Sequence, residues 1–152
     1  MPSIDNKMAI MDSTITRSDW NMGATSFNKE IDVLNDLYTE ERPSEINLKR
    51  LAALLGILDK DLATAFKLDP STISKNPYAS SNPVLAQWMV VFNLIIKIIS
   101  ESEPELATEQ IKVKMQKWLK LPRPEFDGRS AVDEMQKGRV RKVKNILEQL
   151  VG

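Results

Sequence analysis

Leu58–Pro77 reads LDKDLATAFKLDPSTISKNP, and the order of apolar and turn residues within it decides the fold. Its spacing predicts a helix around Lys60–Phe66, a short turn at Lys67–Asp69 and a second helix from Pro70. Asp69 is a natural N-cap, and Pro70 suits the first helical position, where no backbone N–H is needed. Pro77 ends the second helix early. Leu62, Ala63, Phe66, Leu68 and Ile73 fall where two crossing helices need apolar contacts, and Ala63 is small enough for a close crossing. This is the pattern of a helix-turn-helix. Lys67 stands where such a turn usually carries glycine, so a strained backbone or a different turn is expected there.

The second helix of such a unit would face a nucleic acid. DPSTISKN presents Ser71, Thr72, Ser74, Lys75 and Asn76, whose hydroxyl, amide and ammonium groups suit phosphates and base edges. That helix carries only one base. Affinity for DNA grows with the number of phosphates neutralised, so contact is expected only from a dimer or larger complex. The bland reading is a scaffold that touches no DNA.

Working upstream, Asn47 caps a helix through Leu48, Leu51, Ala52, Leu54 and Leu55, which Gly56 stops. Residues 28–39 put Ile31, Leu34, Leu37 and Tyr38 on one face of a short amphipathic helix, and Pro43 breaks the path. Residues 1–27 show no helical or strand period and read as an N-terminal arm, with Trp20 and Phe27 as possible anchors on a partner. Met1–Met11 has neither a basic start nor a long apolar run, so a cytoplasmic location is expected.

Downstream, Asn82 and Pro83 open another helix. Val84–Ile99 is apolar at 13 of 16 positions. A bilayer span needs ~20 apolar residues, so this run reads as a core helix without a membrane partner. A helix apolar nearly all round is buried. In a chain of 152 residues, covering every side calls for a second copy, so a homodimer is expected. Glu101–Glu105 reads as an acidic linker, followed by a helix over Thr108–Leu119 with Ile111, Met115, Trp118 and Leu119 on one face. Ser130 and Asp133 form a capping box, Gly138 ends that short helix, and a last helix from Arg139 to Val151 buries Val140, Val143, Ile146, Leu147 and Leu150. No segment holds a strand period. The chain reads as all-α, divided into the arm 1–27, a helix-turn-helix-containing domain 28–104 and a C-terminal module 105–152.

Charge and composition narrow the function. Lysine plus arginine and aspartate plus glutamate each number 21, so the chain is formally neutral. Residues 1–46 carry a net of −5, 47–100 a net of +3 and 101–152 a net of +2. There is no cysteine and no histidine, which removes disulfides, thiol nucleophiles, imidazole bases and zinc sites with those ligands. Five glycines stand singly, so no phosphate-cradling loop exists. The pairs Glu40/Glu41 and Asp133/Glu134 are adjacent residues that point apart, with capping or solvation to explain them. Catalysis, a cofactor and a metal are not expected.

The stretch Trp118–Gly138, WLKLPRPEFDGRSAVDEMQKG, with the closing helix that carries Val143, Ile146, Leu147 and Leu150, resembles the C-terminal toxin-binding domain of the Xre/MbcA/ParS antitoxin family. The shared pattern is Trp-Leu, a proline, a leucine-like residue before glycine, a small helix, a second glycine and a closing helix. The resemblance covers about 45 residues closely, from about Ile111, and about 105 with the helix-turn-helix. Arg123 stands where the family often has asparagine, and Ala131 where it often has proline. Trp118, Phe126, Met135 and Gly138 fit core roles better than contact roles. Members commonly run a little past the last helix, so here that helix itself is the expected blocking element.

The resemblance implies a type II antitoxin that blocks a RES-domain toxin, a protein that degrades NAD, and that represses its own operon. Lys137, Arg139, Arg141, Lys142 and Lys144 place five bases in eight residues at the start of the last helix. Cations in a first turn oppose the helix dipole at a cost of roughly a few tenths of a kcal/mol, which suggests a partner carboxylate or phosphate. Arg139, Arg141, Lys142 and Lys144 are thus the expected toxin contacts, with DNA as the other candidate and a solvated face as the bland one. The alternative function is a stand-alone dimeric helix-turn-helix regulator.

Overall fold

In a computed structural model of the chain, residues 32–79 and 82–151 are described. The expected arm, with Trp20 and Phe27, lies outside them, as does Ile31. The described chain is mostly helical. α1 is Leu48–Leu55, α2 Asp59–Ala65, α3 Pro70–Lys75, α4 Pro83–Ser102, α5 Thr108–Lys120, α6 Ala131–Gln136 and α7 Val140–Val151. Short 3-10 turns occupy Asn35–Leu37 and Pro124–Phe126.

Most helix starts follow from side chains within three residues. Asn47 Oδ1 accepts from the backbone N–H of Lys49 and Arg50 at 3.0 and 3.2 Å. Asn82 Oδ1 does the same for Val84 and Leu85 at 2.9 and 3.2 Å, with Pro83 at the first helical position. Ser130 Oγ accepts from Asp133 N at 3.1 Å while the Asp133 carboxylate accepts from Ser130 N at 3.2 Å. α1 stops at Gly56, whose φ of +69° is the left-handed conformation that glycine adopts without strain.

One apolar core joins all these elements. α4 lies at its centre, packed against α5 and α7. Trp88, Val91, Phe92 and Ile96 of α4 are fully buried, and the Trp88 ring meets Phe66 edge-on at 4.8 Å. Ile111, Met115 and Leu119 of α5 and Val143 and Leu147 of α7 close over them. The sequence segments divided near residue 104 therefore share a core.

Several expectations are revised. α4 runs 20 residues and continues past the apolar run into Glu101 and Ser102 of the expected linker, so only Glu103–Ala107 links it to α5. With a mean hydropathy of 1.7 over 18 residues, α4 is long and apolar enough to cross a bilayer by length and composition alone. The argument from shortness fails. Its apolar surface is also not covered all round: Val90 is 43% exposed, and Val84, Met89, Leu94, Ile98 and Ile99 are half-buried. A two-residue antiparallel ribbon pairs Ile46 with Ala79 and Asn47 with Tyr78, where no strand was expected. Such strands are too short to carry a period of two. Residues 35–37 form a 3-10 turn instead of continuing an α-helix, and Val33, outside the expected face, is buried with Leu34 and Leu37. Leu150 is exposed at the end of α7, not buried.

Candidate functional site

Two surfaces were singled out by sequence, and the structure places both. The first is α2, α3 and the turn between them. Leu62, Ala63, Phe66 and Ile73 are buried along the α2–α3 contact, and Leu68 N donates to Ala63 O at 2.8 Å to close the turn. Lys67 adopts φ +60°, the left-handed backbone, which is the strained one of the two outcomes expected there. A side chain at that conformation costs about 1–2 kcal/mol.

The five candidate contact residues do not act alike. Asp69 Oδ1 accepts from Ser71 N at 2.9 Å and from Ser71 Oγ at 2.7 Å. Those two bonds hold the Asp69 carboxyl below its ordinary value, the backbone bond contributing most. The Ser71 hydroxyl is thus already engaged in the cap. Asn76 Oδ1 accepts from Tyr78 N at 3.3 Å, so its amide shapes the path into the ribbon. Thr72 is half-buried. Ser74 and Lys75 are exposed.

The second surface is the corner between α6 and α7. Arg123 N donates to Arg129 O, and Gly128 N to Arg123 O, pinning the loop that follows α5. Asp127 and Gly128 both take positive φ, at +55° and +85°, which turns the chain toward the Ser130 cap. Phe126 is fully buried beneath this loop. Trp118, expected in the core, is half-buried, and the Arg123 guanidinium lies 5.0 Å from its ring centroid. It projects from the last turn of α5, next to the loop that carries Arg123.

Glu134 is the residue that sequence reading missed. Its position beside Asp133 suggested a solvated carboxylate, yet its side chain is fully buried. Arg129 Nε donates to Oε2 at 2.7 Å. Arg139 forks onto the same carboxylate, with Nε to Oε1 at 3.0 Å and Nη2 to Oε2 at 2.9 Å. Lys142 Nζ stands 3.5 Å from Oε1. The Arg139 hydrogen bond is the main cause that holds the Glu134 carboxyl at about 2, with Arg129 adding to it and burial opposing it. Arg139 N also donates to Glu134 O at 2.9 Å, so backbone and side chain fix one corner together. A signal was present: Arg129 and Arg139 stand five residues on either side of Glu134.

This divides the expected toxin contacts. Arg139 and Lys142 are committed to Glu134, and a glutamate at either position would set a second carboxylate against it. Arg141 and Lys144 face the other way and line a cleft with Gln87, Val90 and Val140. Among the described residues, no group of three or more His, Cys, Asp or Glu could hold a metal ion. Compared with family models, curated proteins and solved structures, the chain finds no match.

Proposed function

We propose that the chain is an antitoxin. Its C-terminal part covers a RES-domain, NAD-degrading toxin, and α2–α3 acts as a helix-turn-helix on operator DNA, with two copies acting together in the cytoplasm. The observation that carries this reading is the sequence pattern Trp118–Gly138 with its closing helix, and three local features of the fold are compatible with it. Gly128 and Gly138 take positive φ, Ser130 caps, and Phe126 fills the space under the loop.

Such a protein needs no reacting group. It works by burying a surface that the toxin must expose to bind its nucleotide. The rigid α6–α7 corner supports this, because a preformed surface loses little entropy on docking. Arg141 and Lys144 carry charge toward an acidic partner, whereas Arg139 and Lys142 hold the corner.

The test is co-expression with the product of the adjacent open reading frame. That product should be toxic alone, retained on this chain and neutralised by it. A neighbour that is harmless by itself, or is not retained, defeats the reading. A stand-alone dimeric regulator is the second reading, favoured by exposed Ser74 and Lys75 and by the uncovered apolar side of α4. It predicts operator binding with no toxin bound.

A further inference from the structure

The bases at the start of α7 fall on two faces. Arg139 and Lys142 face Glu134, where the carboxylate neutralises part of their charge. Arg141 and Lys144, one helical turn apart, face α4. Among the described residues no carboxylate lies within ion-pair distance of Arg141, and Lys144 reaches only the exposed Glu148, at 3.9 Å. A pair that long on an exposed surface holds its members loosely. Between these cations and α4 runs a cleft of about 150 Å³ whose apolar lining is Val90 and Val140, with the Gln87 amide beside them. Val90 is 43% exposed there, a valine on a helix whose neighbours Val91 and Phe92 are fully buried.

An occupant must answer both features. A carboxylate satisfies the planar Arg141 guanidinium through two parallel hydrogen bonds and the Lys144 ammonium as a point charge. An apolar side chain covers Val90. A nucleic-acid backbone answers only the first, since its affinity comes from the number of phosphates neutralised and two cations supply few. We propose that the α4–α7 cleft is the docking site for an acidic segment of a partner protein, with a carboxylate on Arg141 and Lys144 and an aliphatic side chain on Val90. This deepens the antitoxin reading and rests on it for the partner's identity, while the chemistry of the contact comes from the cleft itself.

The test is a titration of the isotopically labelled full chain, followed by amide chemical shifts. The probes are a capped tetrapeptide of glutamate and leucine, its glutamine counterpart and a mixed-sequence DNA duplex. The acidic peptide should move the amides of Gln87, Val90, Val140, Arg141 and Lys144. The glutamine peptide should bind about tenfold more weakly, the loss of a charge-assisted bond. The Arg141→Glu, Lys144→Glu double variant, checked for an unchanged circular dichroism spectrum, should lose the response, and Arg141→Gln should reduce it. A silent cleft at millimolar peptide overturns the proposal, as does a stronger response there to the duplex. Self-association abolished by the same double variant overturns it too, because it gives the cleft to a second copy. The two readings fail separately. A retained neighbouring gene product with a silent cleft removes the cleft alone, and a responsive cleft with no retained neighbour removes the antitoxin reading alone.

Discussion

Replacing Glu134 by glutamine should destabilise the chain strongly near neutral pH and much less in acid. The substitution keeps the side chain's shape and removes its charge. Arg129, Arg139 and Lys142 would then share one neutral amide oxygen in place of a carboxylate that now takes bonds of 2.7, 2.9 and 3.0 Å. Removing one partner of a fully buried ion pair costs ~3–5 kcal/mol. The three cations are 36–43% exposed and can turn partly to water, which lowers the expected loss to about 2 kcal/mol. The pH dependence follows from the direction of the shift. The folded carboxyl sits at about 2 against an ordinary 4.5, so the unfolded chain takes up the proton first. The contribution to stability is complete above 4.5 and drains away as pH falls toward 2. Urea unfolding followed by circular dichroism at a series of pH values would measure it. A gap between wild type and variant that stayed constant from neutral pH down to about 2 would refute the reasoning, as would a gap near zero throughout.

Lys67→Gly should raise stability by about 0.5–1 kcal/mol, since relief of the left-handed backbone outweighs the added entropy of the unfolded chain; the urea midpoint should rise with an unchanged slope. Asn82→Ala removes the acceptor for Val84 N and Leu85 N and should cost about 1 kcal/mol by the same measurement. For the DNA half, Lys75→Ala should weaken operator binding uniformly across sequences and reduce the salt slope by about 1, read by fluorescence anisotropy. Ser71→Ala should weaken binding less than Ser74→Ala does, because the Ser71 hydroxyl is occupied by Asp69.

What the sequence disclosed and what it hid separate by the range of the interaction. The caps at Asn47, Asp69, Asn82 and Ser130 were legible because the acceptor and the N–H it serves lie within three residues. The backbone strain at Lys67 was legible as one of two outcomes, because a tight inter-helix turn without glycine leaves either strain or a different turn. Glu134 was not, although Arg129 and Arg139 are only five residues away: Arg139 and Lys142 reach it only once Gly138 turns the chain from α6 into α7. The Ile46–Asn47 and Tyr78–Ala79 ribbon joins residues more than thirty apart through backbone groups, which leave no side-chain pattern. Leu150 obeys the helical period yet stands exposed, since period gives the direction of a side chain and not whether a neighbour extends far enough to meet it. Arg141 and Lys144 were read with Arg139 and Lys142 as one basic run, and the positions of Glu134 and α4 separate them.

Two of the three indole rings, Trp88 and Trp118, lie among the described residues, and with Trp20 replaced by phenylalanine they give this protein a built-in optical readout. Trp88 is sealed among apolar neighbours and should emit at short wavelength until the whole chain unfolds. Trp118 is partly open to water beneath Arg123 and should emit to the red of it. A ligand that settles over the loop after α5 would shift the second component and leave the first in place, so an emission spectrum recorded during a titration distinguishes occupation of that corner from loss of the fold.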